Sequence, residues 1–242
     1  MYSVIETHFH TVASGHAYST VLEGVAYAKE YGMKGLAITD HGPAMPGGAH
    51  IWHFGNQSAM EPEVDGIKII KGVEADIMDY DGALDIPEEY LKKVDWVIAS
   101  YHVTCCPPGS VEDHSRGYYN VIRNPYVDVL GHSGNDDYVY DYEGVVQEVK
   151  KYGKIIEINN HSPVDRPGSA ERCPIIAGLC KKYEVPVVVS TDAHFATKIG
   201  KVDWALKMLK EIGYPDELIL NMDEKRFFHY LENRKRNQMN ES

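Results

Sequence analysis

Residues 2–16 read YSVIETHFHTVASGH, a short, largely apolar run that opens directly onto three histidines at positions 8, 10 and 16. Nearly continuous apolar runs of this kind suit strands covered on both faces, the habit of parallel sheets. The first strand is read over 2–7, and six more come after it: GLAIT (35–39), IKIIKGVEA (67–75), DWVIAS (95–100), VDVLG (127–131), KIIEIN (154–159) and PVVVST (186–191). Amphipathic segments separate them. Residues 20–32 follow Ser19, a residue type that caps helices, and close at Gly32; residues 142–153 set Val145, Val146 and Val149 on one face and also end in glycine. Residues 169–183 and 201–213 repeat the pattern, and a last helix is expected over 223–236 with a tail that frays beyond it. Residues 42–66, rich in glycine and proline, read as a long loop with at most one short helix. Strands alternating with helices call for a β/α barrel or a doubly wound sheet.

Length and composition bound the function. A chain of 242 residues with 43% apolar and 25% charged residues can bury one large core, so a single domain over 1–242 is expected. The net charge of -12 argues against a nucleic-acid groove, which needs a basic stripe to displace counterions. An anionic substrate stays open, because bound divalent cations reverse the local balance. Cys105, Cys106, Cys173 and Cys180 form no CxxC pair and no disulfide framework, as expected of thiols in a reduced compartment. With neither a signal-peptide pattern nor a long apolar span, the expected location is the cytoplasm.

The residues just past each strand carry the functional signal. The first strand leads to His8 and His10, then His16; the second to Asp40 and His41; the third holds Glu74 near its end. His102 comes after the fourth, His132 after the fifth, Asn159, Asn160 and His161 at the end of the sixth, and Asp192 and His194 after the seventh. Eight of the 12 histidines thus stand within or past strand ends. In parallel β/α folds those ends share one face, where active sites are assembled. The i, i+2 spacing of His8 with His10, and of Asp192 with His194, lets each pair point the same way. Imidazole and carboxylate ligands without thiolate suit zinc, manganese or iron in a catalytic setting. Nine candidates exceed one tetrahedral ion and suffice for two or three, with Glu74 as a bridge. His50, His53, His114 and His229 do not share the pattern.

These residues, in the order HxH (8–10), GHA (15–17), TDH (39–41), GVE (72–74), His102, GH (131–132) and TDAH (191–194), resemble the PHP family, the polymerase and histidinol phosphatase superfamily. The likeness runs to about residue 213 and is nearest to the stand-alone YcdX-type phosphatases. It implies a distorted (β/α)7, TIM-barrel-like fold with three divalent ions, zinc first and manganese or iron next. It implies His8, His10, Glu74 and Asp192 on one ion, His16, His41 and His194 on a second, and His102 and His132 with bridging Glu74 on a third. Glu6 stands where the family has an aspartate and is expected to orient a ligand imidazole; Asp40 is expected in a similar supporting role.

Such a cluster suits hydrolysis of small phosphate monoesters by a metal-bridging hydroxide, with no covalent phospho-enzyme. His161 is the candidate leaving-group acid, and Arg116, Arg166 and Arg172 are candidate anchors for the substrate. Histidinol phosphatase is the alternative within the same chemistry. A PHP-type exonuclease is disfavoured by the acidic charge, an amidohydrolase by the absence of a bridging lysine near the fourth strand, and a non-catalytic metal module by the completeness of the ligand set.

Overall fold

The structure is a computed structural model that describes residues 4–241; positions 2 and 3 of the first expected strand lie outside the described residues. In chain order its strands and helices are β1 Ile5–Phe9, α1 Val21–Glu30, β2 Gly35–Ile38, α2 Ile51–Gly55, β3 Glu63–Val64 and β4 Ile67–Asp76. Next come α3 Glu88–Leu91, β5 Trp96–Ser100, α4 Val111–Arg123, β6 Val129–Leu130, α5 Tyr142–Lys151 and β7 Ile155–Asn159. The remainder is α6 Ser162–Asp165, α7 Ser169–Tyr183, β8 Val187–Ser190, α8 Asp203–Glu211 and α9 Glu224–Glu241. Seven strands run parallel in the order β1-β2-β4-β5-β6-β7-β8, a nearly closed barrel, so the barrel alternative holds over the doubly wound sheet.

Closure between β8 and β1 is made at two heights. Near the C-terminal ends, Phe9 bridges Ala193: the His10 amide donates to Ala193 O at 3.0 Å and the Ala193 amide to His8 O at 3.3 Å. At the other end the two strands are joined by a buried side chain. Asn221 donates to Ile5 O at 2.8 Å and to Val189 O at 2.6 Å, and its own oxygen accepts from the Val189 amide at 3.0 Å.

The floor of the barrel is apolar. Ile5, Ala37, Ile70, Trp96, Ile98, Val129, Ile155 and Val188 pack together there with Phe227 and Leu231 of α9, which closes the N-terminal end. Arg234 of the same helix pairs with buried Asp128 at 2.7 Å and donates to Val94 O and Tyr126 O. The outer layer is built by α4, α5, α7 and α8 over the other faces of β4 to β8, and by α1 over β1 and β2.

Several elements differ from the sequence reading. β1 runs on to Phe9, which takes His8 into the strand. The glycine-rich crossover holds α2 as expected but also β3, an antiparallel partner of β4. The sequence reading names no helix after the fourth strand, but α4 spans 13 residues there, opened by a capping box in which Ser110 and Asp113 satisfy each other's amides. The last helix continues to Glu241 rather than stopping near 236, since Arg234–Glu241 holds no glycine or proline to end it.

Replacing Asn221 with leucine leaves three buried backbone groups without partners. We expect a loss of about 2–4 kcal/mol in urea unfolding, with the m-value unchanged; a smaller effect than about 0.5 kcal/mol would show that the seam does not depend on this side chain.

Candidate metal centre

The polar layer sits directly above that apolar floor. Ile5 packs in the barrel interior, but Phe9 packs outside it against α1. Strict alternation from Ile5 would turn His8 outward. The β1–β2 register shifts between Glu6 and Phe9, so the extra residue changes the parity and brings His8 and His10 inside. Two other candidates also sit on unusual backbone: His132 has φ of 24° and Asp192 φ of 51°. Neither is glycine, and such conformations cost about 1–3 kcal/mol each, a strain found at functional sites.

Glu74 of β4 is the hub. Its Oε2 lies 3.3 Å from His8 Nε2, 3.3 Å from His10 Nε2 and 2.9 Å from His41 Nδ1. Its Oε1 lies 2.8 Å from His132 Nε2 and 3.5 Å from His102 Nε2. Asp192 Oδ1 stands 3.1 Å from His10 Nε2 and 3.5 Å from His8 Nε2. At the rim, His16 Nε2 and His194 Nε2 are 3.0 Å apart. All nine sequence-predicted ligands are therefore gathered at one end of the barrel. Among the described residues, three groups have ligand atoms within 4.8 Å of one another: His8, His10, Glu74 and Asp192; His10, His41 and His194; and His41, Glu74 and His102. The first repeats the set implied by the family resemblance. In the others, His10 and His41 take places expected of His16 and His132, which lie alongside.

Among the described residues, six buried ligand atoms in this cluster have no hydrogen-bond partner: His8 Nε2, His10 Nε2, His41 Nδ1, His102 Nε2, Glu74 Oε2 and Asp192 Oδ1. Their short separations lack the alignment of hydrogen bonds. Burial, with the field of protonated His10 next, brings His41 down to about 3; burial chiefly brings His102, His132 and His194 to about 4. Each of these shifts favours the neutral ring, the form that offers a lone pair to a cation. Burial opposes charge on His8 and His10 as well, but the carboxylates of Glu74 and Asp192, with Glu157 at His8, outweigh it and shift both upward, His10 to about 9. Burial opposes ionisation of Glu74, but the imidazoles of His8, His41 and His102 outweigh it and hold the carboxyl well below its usual range. Imidazoles and carboxylates aiming unpartnered buried atoms at one space fit a multinuclear metal site.

The opposite ring nitrogens are held by residues that the sequence reading does not single out. Glu157 of β7 binds His8 Nδ1 at 2.6 Å, and its other oxygen accepts the His132 amide at 2.7 Å. Asp76 binds His102 Nδ1 at 2.6 Å, and Ser14 Oγ meets His10 Nδ1 at 3.1 Å. Asp40 reaches the cluster through the loop that follows β1. It accepts from the Thr11 amide, Thr11 Oγ1 and Ser14 Oγ, and stands 3.1 Å from His53 Nε2, which gives that histidine a place beside the site. Gly15, at φ of 73°, lets this loop pass against Gly47, where a Cβ would collide with Gly47 O. Glu6 corrects an expectation: among the described residues it makes no hydrogen bond to an imidazole. It accepts from the amides of His8, Thr191 and Gly200 and from Thr191 Oγ1, tying β1 to the segment that carries Asp192.

A cavity of about 500 Å³ opens over the cluster, lined by His16, His41, His102, Asp192 and His194 together with His161, Asp165, Arg166 and Lys198. His161 Nε2 pairs with Asp165 at 2.6 Å. Arg166 donates to Asp192 Oδ2 at 2.8 Å, and its buried Nη1 has no partner among the described residues. The other two arginines are elsewhere. Arg116, on α4, pairs with Asp113 of the same helix and with Asp81, and Arg172 pairs with Asp136; neither lines the cavity. His50 caps α2 and His114 binds Val139 O and the Gly109 amide, both structural roles.

Comparison with known proteins agrees with this geometry. Proteins named probable phosphatase from Acetivibrio thermocellus and Caldanaerobacter subterraneus subsp. tengcongensis are 46% and 47% identical, with 96% of this chain covered in each case and 96% and 92% of theirs. The fold matches the crystal structure of a histidinol phosphate phosphatase from Lactococcus lactis subsp. lactis Il1403, complexed with zinc, L-histidinol and phosphate, at a TM-score of 0.62. That match has 17% identity and covers 88% of this chain and 95% of that one. Residues 6–161 match the PHP domain, and with close relatives covered nearly end to end, the chain belongs to the PHP domain family.

Proposed function

We propose that the protein is a metal-dependent phosphatase that hydrolyses small phosphate monoesters. The observation that carries the reading is the set of six buried, unpartnered ligand atoms around Glu74. Three divalent ions, zinc in the first instance, would find their ligands in His8, His10, Glu74 and Asp192, in His16, His41 and His194, and in His102 and His132 together with Glu74. When bound, such ions supply Lewis acidity, acidify water and neutralise charge on a phosphoryl group.

The chain's own residues do the rest. Arg166, fixed by Asp192, offers its free Nη1 to a phosphoryl oxygen. Water adds to phosphorus and the ester P–O bond breaks; the leaving oxygen takes a proton from His161 Nδ1 while Asp165 holds Nε2, and the proton released by the attacking water returns to His161. Among the described residues lining the cavity, Thr191 has the one aliphatic hydroxyl, and it donates to Glu6 at 2.6 Å, which supports direct attack by water over a phosphorylated serine or threonine. The L-histidinol and phosphate in the Lactococcus structure support histidinol phosphate as the alternative substrate. Among the described residues no helix is long and apolar enough to cross a membrane, and the four free cysteines support a cytoplasmic setting.

Metal analysis of the purified protein, paired with a phosphomonoester panel, tests the reading. We expect about three equivalents of metal per chain and phosphate release abolished by a chelator and restored by zinc or manganese; metal-replete protein inactive on every ester would refute it. Glu157→Gln should keep the fold and lower zinc affinity about 10–100-fold in competition with a chromogenic chelator. His161→Ala should slow alkyl phosphates by about 100-fold, yet affect 4-nitrophenyl phosphate far less because nitrophenolate leaves without a proton. Equal losses on both esters would remove His161 as the acid.

A further inference from the structure

A second cavity, of about 790 Å³, shares no lining residue with the metal cavity among the described residues. Its volume falls in the range of small-molecule sites. One side of its wall is α2 with the turn after it, and the other is Tyr90 of α3 with Lys93 just beyond. It borders the supports of the metal centre, since His53 lines it and reaches Asp40 at 3.1 Å, but none of the nine candidate ligands faces it. The proposed hydrolysis uses nothing in this wall.

Three features set the wall apart from ordinary surface. Gln57 lines it yet is only 3% exposed; its Nε2 donates to Gly72 O of β4 at 2.8 Å, and its Oε1 has no partner among the described residues. A buried acceptor left open is costly and rare in folded proteins. Two aromatic rings stand in the same wall. Trp52 is 73% exposed, and its one ring contact among the described residues is His50 at 5.5 Å. Tyr90 packs so closely on α2 that a Cβ at Gly55 would come within 2.9 Å of its ring. Lys93 supplies a cation without an acidic partner among the described residues, in a chain with 36 acidic side chains against 24 basic ones. Its ammonium lies 4.7 Å from the centre of the Tyr90 ring, which sets charge and ring side by side.

We propose that this cavity is a second ligand site, separate from the metal centre, for a small planar molecule that carries an anionic group and a ring N–H. The ring lies against Trp52 and Tyr90, the anion meets Lys93, and the N–H pairs with Gln57 Oε1. Each requirement answers one unspent group of the wall. The occupant is not the ester hydrolysed at the metal centre, and the assignment holds whatever reaction is catalysed there.

The test uses indole-3-acetate as the probe, beside indole-3-ethanol, which lacks the charge, and 1-methylindole-3-acetate, which lacks the donor. Calorimetry on the metal-loaded protein should show the probe binding about tenfold more tightly than either analogue. Lys93→Gln should abolish the preference over indole-3-ethanol, and Lys93→Arg should keep it. Proton–nitrogen spectra locate the probe. The chain has three tryptophans, and the indole N–H signal of Trp52, identified by its loss in Trp52→Phe, should shift on titration while those of Trp96 and Trp204 stay in place. A carboxylate captured by the metal ions instead would keep its charge preference in Lys93→Gln and leave Trp52 unmoved. That result, equal affinity for the methylated analogue, or no binding at millimolar probe would overturn the site.

Discussion

Everything at the open end of the barrel depends on a buried carboxylate surrounded by imidazoles that do not satisfy it. Glu74 lies within 3.5 Å of five ring nitrogens, yet its Oε2 has no hydrogen bond among the described residues, nor do four of those nitrogens. Leaving one buried polar atom unpaired costs about 1–3 kcal/mol. Six of them reach the scale of a whole domain's stability, about 5–15 kcal/mol. A cluster of that kind persists in a folded protein when a cation supplies what the side chains do not give each other. Its own chemistry therefore supports the metal reading independently of any relative.

The same constraint explains the second layer of acids. An imidazole can present a lone pair only if its other nitrogen is held as a donor, and a carboxylate there fixes both tautomer and ring direction. Glu157 does this for His8 and Asp76 for His102. Asp76 itself, buried and facing Glu74, is pushed up to about 7, and Asp85 beside it to about 8, again by burial first and by its acidic neighbour second. The acids crowd one another because the imidazoles must be held from behind, and bound cations would relieve that crowding.

The parts of this architecture legible in the sequence are those with a periodic or positional signal. Seven apolar runs mark the seven parallel strands, and the residues at or past their ends include all nine members of the cluster. The β1 register shift between Glu6 and Phe9 is a property of pairing with β2 and leaves no mark in composition. α4 does carry a mark, the Ser110–Asp113 capping box, which is readable without coordinates. Glu157 is readable as well, as an acid at the centre of an otherwise apolar strand, where burial demands a partner. Arg166, Arg116 and Arg172 look alike in one dimension. Only tertiary packing separates the one beside Asp192 from the two paired on the outer surface.

The division of the barrel into an apolar floor and a polar mouth also accounts for where its strain is kept. The floor is closed by Trp96, Phe227 and Leu231, with Asn221 sealing the seam between β1 and β8. Those contacts involve none of the candidate ligands. The two non-glycine ligands at positive φ, His132 and Asp192, stand at the opposite end, just past short strands. Strain of about 1–3 kcal/mol per residue is tolerable there because the rest of the barrel is fixed without it. A site that must aim side chains from seven strands at one small space needs that separation, since a floor built from the same residues would trade ligand geometry against packing.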